Sequence, residues 1–307
     1  MIDRSMASIR AQVSEGLSAL ALSALSRSAL DRPLLHPAEL LVAVPSDEAL
    51  ALGAHQRSCE VPGDLPRVRR GSGGAEARVG RGSVWLQLSL VAPSALVPCP
   101  PERLVNRYVR PLLRAITKVG VLAHYFERDW VSGLKRPVAS IAFGHDTTSG
   151  RAFVEAIVAV TTPFAVRERA STMGKAPATL AELGCSADAP AVARAIVASY
   201  EAAYGASPGE LSDAPAIDEP VVDDPPWSAT TMEAIGLIGA GCDRNRRLRL
   251  GGELMVSRDA LMRLERALET PPEDLGALLD ATLGAPGVAL FGVRSLRSLR
   301  DLLARAR

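Results

Sequence analysis

Arg69-Arg70-Gly71-Ser72-Gly73-Gly74 runs toward Ser83-Val84-Trp85-Leu86-Gln87-Leu88-Ser89-Leu90. Consecutive backbone N–H groups around glycine can converge on an anion, because glycine allows close approach and positive φ. Arg69 and Arg70 add charge-assisted, bidentate hydrogen-bonding capacity for a phosphate or carboxylate, and Ser72 adds a hydroxyl donor. A solvated loop in an arginine-rich chain has the same composition, so the stretch alone leaves both readings open. It is not a P-loop, because Lys-Ser/Thr is missing, and it lacks GxGxxG spacing. The second stretch alternates Val84, Leu86, Leu88 and Leu90 with Ser83, Trp85, Gln87 and Ser89. That period of two predicts a strand over 83–91 with one buried face.

Outward from there, the N-terminal side predicts a helix over 14–30, ended by Asp31-Arg32-Pro33. Strands are expected at 40–44 and 50–55. On the C-terminal side, helical spacing covers 101–119, with Pro111 marking a kink or restart. Strands are expected at 121–126, 138–143 and 151–161, the last two joined as a hairpin through 144–150. His145 would then sit solvent-facing at the hairpin tip. A helix is expected at 190–204. Residues 206–230 are acidic and proline-rich, with little power to build a core. Beyond them, 231–307 reads as a small α+β unit: a strand at 246–250, a helix after Ser257 as N-cap, and a last helix at 294–306.

Composition limits the classes of function. The apolar share of 48 % supports a real core, and the net charge of +1 provides no basic field for nucleic acid or acidic membranes. No apolar run reaches membrane-spanning length, and the N-terminal charges argue against a signal peptide; a cytoplasmic protein is expected. Cys59, Cys99, Cys185 and Cys242 are scattered without CxxC pairs, which suits incidental thiols better than zinc or disulfides. Only Lys118, Lys135 and Lys175 supply amines; the remaining cations of the 35 basic residues are arginines, which stay charged.

Arg-Arg-x-Ser-Gly-Gly followed by Gly82 and a strand resembles the signature of lipoate–protein ligases and their biotin-ligase and octanoyltransferase relatives. The resemblance continues in order along the chain. It includes Leu52-Gly53-Ala54-His55-Gln56, Glu60 with Leu65-Pro66-Arg67-Val68, Arg128-Asp129-Trp130-Val131, and Val138-Ala139-Ser140-Ile141-Ala142. Gly251-Gly252-Glu253-Leu254-Met255 and Leu264-Glu265-Arg266-Ala267-Leu268 resemble the family's accessory domain. The resemblance implies an α+β fold: a mixed sheet flanked by helices (a biotin/lipoate ligase-like catalytic domain) over 1–205, the linker at 206–230, and a small α+β accessory domain at 231–307.

The resemblance further implies an enzyme that activates a lipoyl- or octanoyl-type acid with ATP and Mg²⁺ and passes it to a lysine of an acyl-carrier (lipoyl) domain. Nucleic acid and membrane are not among the implied partners. Arg69, Arg70, Ser72, Gly73, Gly74 and Gly82 would hold the ligand, Lys135 would stabilise the adenylate, and Asp129 would orient the lysine or bind a cation. The chain departs from the family at Ala75, Val79, Gly80 and Ser83. Pro137 stands where the family has its lysine; Lys135, two residues earlier, would share the required strand face if Pro137 marks a bulge. Two alternatives stay open. One is ATP-independent acyl transfer, for which Cys185 is the candidate acceptor. The other is a non-catalytic acyl- or nucleotide-binding relative, suggested by Pro137, Val79 and Ala75.

Overall fold

The computed structural model describes residues 8–212, 224–270 and 272–306. Much of the expected acidic linker, including Pro215, Asp218, Glu219, Pro220 and Asp223, lies outside the described residues. The described residues begin not with a helix but with strand β1 (Ile9–Glu15), whose Ile9, Ala11 and Val13 alternate with polar residues. Helix α1 (Ala19–Ser28) follows, with Ser18 Oγ accepting the Ala21 amide at 3.1 Å as an N-cap. The helix expected over 14–30 is therefore shorter, because Gly16 and the cap at Ser18 restart the chain after β1. β2 (Ala38–Val44) pairs parallel with β1.

β3 (Ala49–Leu52), β4 (Arg67–Arg69) and β5 (Ala77–Val79) form a separate small sheet in the order β4-β3-β5. β6 (Ser83–Leu90) returns to the large sheet. The helical stretch breaks into α2 (Leu104–Tyr108) and α3 (Arg110–Lys118), with Pro111 in the first turn of α3, where its missing N–H costs nothing. The strand expected at 121–126 is only β7 (Ala123–His124). β8 (Trp130–Gly133), β9 (Arg136–His145) and β10 (Ala152–Ala159) complete a seven-stranded mixed sheet in the order β1-β2-β6-β10-β9-β8-β7, and α4 (Ala189–Tyr204) crosses one face.

The alternation in β6 is real, yet both faces are buried. Val84, Leu86, Leu88 and Leu90 join the core beneath α2, α3 and α4. Trp85 faces α1 and the small sheet, packed with Leu22, Ala51, Val68 and Ile157. The polar side chains on that face are satisfied internally. Gln87 Nε2 donates to Leu22 O at 2.8 Å, and Trp85 Nε1 donates to Glu155 at 2.8 Å. A polar residue in an alternating strand thus marks a second packed layer here, not solvent.

The C-terminal half contributes β11 (Ala229–Met232), β12 (Leu237–Cys242) and β13 (Leu248–Gly252) as one antiparallel sheet. β14 (Met255–Val256) precedes α5 (Arg258–Ala267); α6 (Leu275–Thr282), β15 (Leu290–Phe291) and α7 (Leu296–Ala306) follow. β14 packs on β9, so the apolar contacts of the two halves run together. Among the described residues, no helix is long and apolar enough to cross a membrane.

His145 is 3 % exposed rather than solvent-facing, because the start of α5 covers the β9–β10 hairpin. Its Nδ1 lies 2.9 Å from Ser257 Oγ. Asp146 accepts from Arg258 Nη2 at 3.0 Å, and Asp259 accepts from the Thr147 amide at 2.8 Å. Burial pushes the Asp259 carboxyl up, but Thr147 and Arg263 outweigh it and hold the pKa at about 2. A depressed carboxyl pKa stabilises the fold above the unfolded value, about 4, and the contribution is lost as pH falls through the folded one. Asp259→Asn should therefore cost about 1 kcal/mol at pH 6, after discounting for solvent screening. The difference should shrink as pH falls below about 4 and be lost below about 2, as measured by urea denaturation of both proteins across that range.

Candidate functional site

The glycine-rich stretch forms the crossing from β4 to β5 and lies against β9, β10 and the C-terminal half. Each contact has a backbone reason. Gly73 N donates to Phe143 O, and Gly74 N donates to Leu254 O, both at 3.1 Å. A Cβ on Gly73 would lie 2.2 Å from Leu254 O, so only glycine permits this approach, and Gly74 takes φ +83. Ser72 donates through both its amide and its hydroxyl to Glu155 Oε2, and Gly71 N donates to Ser26 Oγ at 2.7 Å.

The two arginines have different work. Arg69 braces the adjoining turn through Nη1, which donates to Gly53 O at 3.1 Å and Gln56 O at 2.6 Å. Arg70 turns inward and is 1 % exposed. Its Nη2 donates to Gly73 O at 3.1 Å and Ala75 O at 2.7 Å, while Nε and Nη1 have no partner among the described residues. Burial lowers its pKa, with Glu155 opposing and Arg169 adding to the fall.

Arg70 belongs to a buried ionic cluster that sequence reasoning missed. Arg169, 5 % exposed, donates through Nη2 to Asp129 Oδ2 and to Glu253 Oε2, the latter at 2.9 Å. Arg167 donates to Glu76 at 2.7 Å and to Glu253 Oε1 at 3.1 Å. Gln56 Nε2 donates to Glu76 at 2.6 Å, tying the cluster to the glycine loop. Burial works against the charge on Arg169, but Asp129, Glu253 and Glu76 outweigh it and raise its pKa. Burial also raises Glu253, with Glu76 adding and Arg169 opposing. Arg169 Nε and Nη1 and Asp129 Oδ1 have no partner among the described residues. Buried unpaired donors are costly, and two guanidiniums in one cluster with donors to spare suit an anion. Arg167 and Arg169 lie in an irregular stretch without period or motif, so no spacing in the sequence singles them out.

The remaining expected residues are dispersed. Gly82 stands at the start of β6, where its carbonyl accepts the amides of Val160, Thr161 and Thr162, and takes no part in the loop. The bulge expected at Pro137 is present as a register shift opposite Ser132. Lys135, however, is not in the strand: with Leu134 it forms the exposed β8–β9 turn, both residues at positive φ (46 and 69). From there to Phe143, where the loop meets β9, is about 26 Å of strand, at about 3.3 Å per residue. Asp129 is likewise separated from the turn, since its carbonyl accepts the Ile141 amide at 2.9 Å. Cys185 is buried, with its Sγ 4.0 Å from Ala187 O. The lysine placed beside the cluster is Lys175, whose Nζ stands 5.4 Å from the centre of the Trp130 ring. With Arg167 it lines a cavity of about 550 Å³.

A second cavity of about 460 Å³ opens on the outer side of Arg69, bounded by Arg27, Arg57, Arg249 and Trp227. Arg57 stacks on the Trp227 ring, 3.6 Å from its centre. Among the described residues, no group of three His, Cys, Asp or Glu side chains could hold a metal ion.

No family model and no curated protein matches the sequence. Solved structures do match the fold. Plasmodium falciparum LipL1 in complex with lipoate is 8 % identical, with a TM-score of 0.63 over 96 % of this chain and 98 % of that one. A structure from an archaeal lipoylation system, described as a bipartite lipoate protein ligase and its E2 lipoyl domain from Thermoplasma acidophilum, is 13 % identical, with a TM-score of 0.51 over 65 % of this chain and 85 % of that one. A putative lipoate protein ligase from the same organism, with bound lipoic acid, is 12 % identical, with a TM-score of 0.51 over 64 % and 85 %. The chain thus has a lipoate-ligase-like fold, a mixed sheet with flanking helices.

Glu155 is the carboxylate on which the loop rests. Glu155→Ala would leave Arg70 without the negative charge that most offsets its burial and the Trp85 N–H unpaired, and should cost about 3 kcal/mol. Glu155→Gln should cost less, because it keeps an acceptor for Trp85. Chemical denaturation followed by tryptophan fluorescence tests the order of the two.

Proposed function

We propose that the chain binds a lipoyl- or octanoyl-type carboxylic acid at the glycine loop, activates it with ATP, and passes the acyl group to a lysine of a carrier (lipoyl) domain. The observation that carries this reading is Arg70. It is buried in the loop with two donors unused, beside Arg169 with two more. In the reaction, a carboxylate oxygen attacks the α-phosphorus of ATP and pyrophosphate leaves. The carrier amine then attacks the acyl carbon and AMP leaves.

Within this reading Arg70 and the Gly74 amide, once released from Leu254 O, meet the anionic end of the ligand, and Arg69, Ser72, Gly73 and Gly82 keep the surrounding backbone in place. Asp129 positions Arg169. Mg²⁺ would enter with the nucleotide and would neutralise charge on its phosphates. Lys135 is the amine that the family resemblance assigns to charge on the adenylate, an assignment its place in the β8–β9 turn sets against Lys175 in the experiment below. The 1–205 catalytic and 231–307 accessory division, joined by the 206–230 linker, and a cytoplasmic setting belong to the same proposal.

A second reading, acid or nucleotide binding without transfer, is favoured by one observation: Lys135 sits in an exposed turn, far along β9 from the loop. The experiment is octanoate- and lipoate-dependent ATP–pyrophosphate exchange, followed by acyl transfer to a lipoyl domain. On the first reading, Lys135→Ala lowers exchange by about 100-fold, the scale of losing one charge-stabilising donor. Wild-type activity in that variant removes Lys135 from the mechanism. Loss in Lys175→Ala instead would hand the role to Lys175. On the second reading, calorimetry detects binding and no exchange occurs.

A further inference from the structure

The C-terminal half enters the site through the two residues between β13 and β14, Glu253 and Leu254. Both present acceptors. The Leu254 carbonyl takes the Gly74 amide at 3.1 Å, at the place where Gly73 has no room for a side chain. The Glu253 carboxylate takes Arg167 at 3.1 Å and Arg169 at 2.9 Å. A glycine-loop amide and two guanidiniums are the groups an anionic ligand would use, and here one dipeptide of the protein occupies them.

Glu253 is also the carboxylate whose loss the cluster tolerates best. Arg70, Arg167 and Arg169 face Glu76, Asp129, Glu155 and Glu253. Withdrawing Glu253 leaves three charges against three, with Asp129 still on Arg169 and Glu76 still on Arg167. Burial disfavours the charged form of Glu253. The dipeptide is further held by Glu253 N donating to Leu237 O at 2.8 Å, by the neighbouring Gly252 N donating to His55 O at 2.8 Å, and by the burial of the Leu254 side chain in the core, so its release must be driven by the ligand's own contacts with the arginines.

We propose that Arg167 and Arg169 form the subsite for the ligand's carboxylate or phosphate, and that Glu253 is its internal occupant, displaced when the ligand binds. This deepens the ligand-binding reading above and rests on it for the identity of the ligand. Binding then releases the Glu253-Leu254 dipeptide from the glycine loop. An anion at one site thereby loosens the C-terminal half at its contact with β9.

The test compares the full-length wild type with Glu253→Gln and Arg167→Gln. Hydrogen exchange is read at peptides covering 70–76 and 251–256, and calorimetry is run with octanoate and with inorganic pyrophosphate as separate probes. In the absence of any probe, Glu253→Gln is expected to speed exchange in both peptides by at least fivefold. The same variant is expected to bind a probe at least fivefold more tightly than wild type, and Arg167→Gln to bind it more weakly. Arg167 is chosen because it is the less buried arginine, so its variant keeps the fold. Unchanged exchange in Glu253→Gln, or binding no tighter than wild type, overturns the proposal even if acid activation is intact. Tighter pyrophosphate binding with no response to octanoate and no turnover upholds the subsite and overturns the acid-activating function. No binding of either probe to any of the proteins overturns both.

Discussion

Glu155 lies in the middle of β10, fully buried, on the sheet face that α1 and the small sheet cover. A carboxylate in that position must be satisfied from within, since leaving it unpaired would cost several kcal/mol. Trp85 reaches it along the sheet, Ser72 reaches it from the glycine loop, and Arg70 supplies the compensating charge. The loop is therefore a structural counterpart of the central sheet before it is a ligand cradle. Its glycines allow the backbone close enough to meet Glu155 on one side and the Leu254 carbonyl on the other.

The same constraint explains why the cluster extends so far. Arg70 brings a positive charge inside, and Arg169 lies close enough to make that charge harder to hold. Asp129, Glu76 and Glu253 balance the pair, and Arg167 links two of them. Each partner comes from a different element: the turn before β8, the crossing into β5, the β13–β14 connection, and the stretch after β10. A cluster assembled in this way ties the C-terminal half to the sheet through charge as well as through the contact of β14 with β9. It also keeps its arginines oriented while some of their donors stay unused, which is the condition an anion site requires.

Particular elements show how far the sequence could be read. β6, β9, β10 and α4 were legible because an unbroken period or a capped apolar face covers them. β1 was hidden by the leucine-rich helix that follows it, and β8 is too short for a period to establish itself. His145 was misread because a hairpin tip is solvent-facing only when nothing packs on it, and α5 does. Arg69 and Arg70 were read as equivalent. One residue of register sends Arg69 to the carbonyls of the neighbouring turn and Arg70 into the interior.

By itself the sequence determined the strands β6, β9 and β10, the helix α4 and a glycine-rich crossing at 71–74, while the mixed-sheet class came through the family resemblance. It also identified a double arginine beside a strand. These depend on local period, backbone freedom and residue chemistry, all of which are properties of neighbours along the chain. Only the tertiary structure decided which donors remain unused, that Arg167 and Arg169 join Arg70, that Lys135 ends in a turn, and that Glu253 lies against the loop. Those outcomes depend on contacts between residues far apart in the chain, and on desolvation that no single segment creates alone.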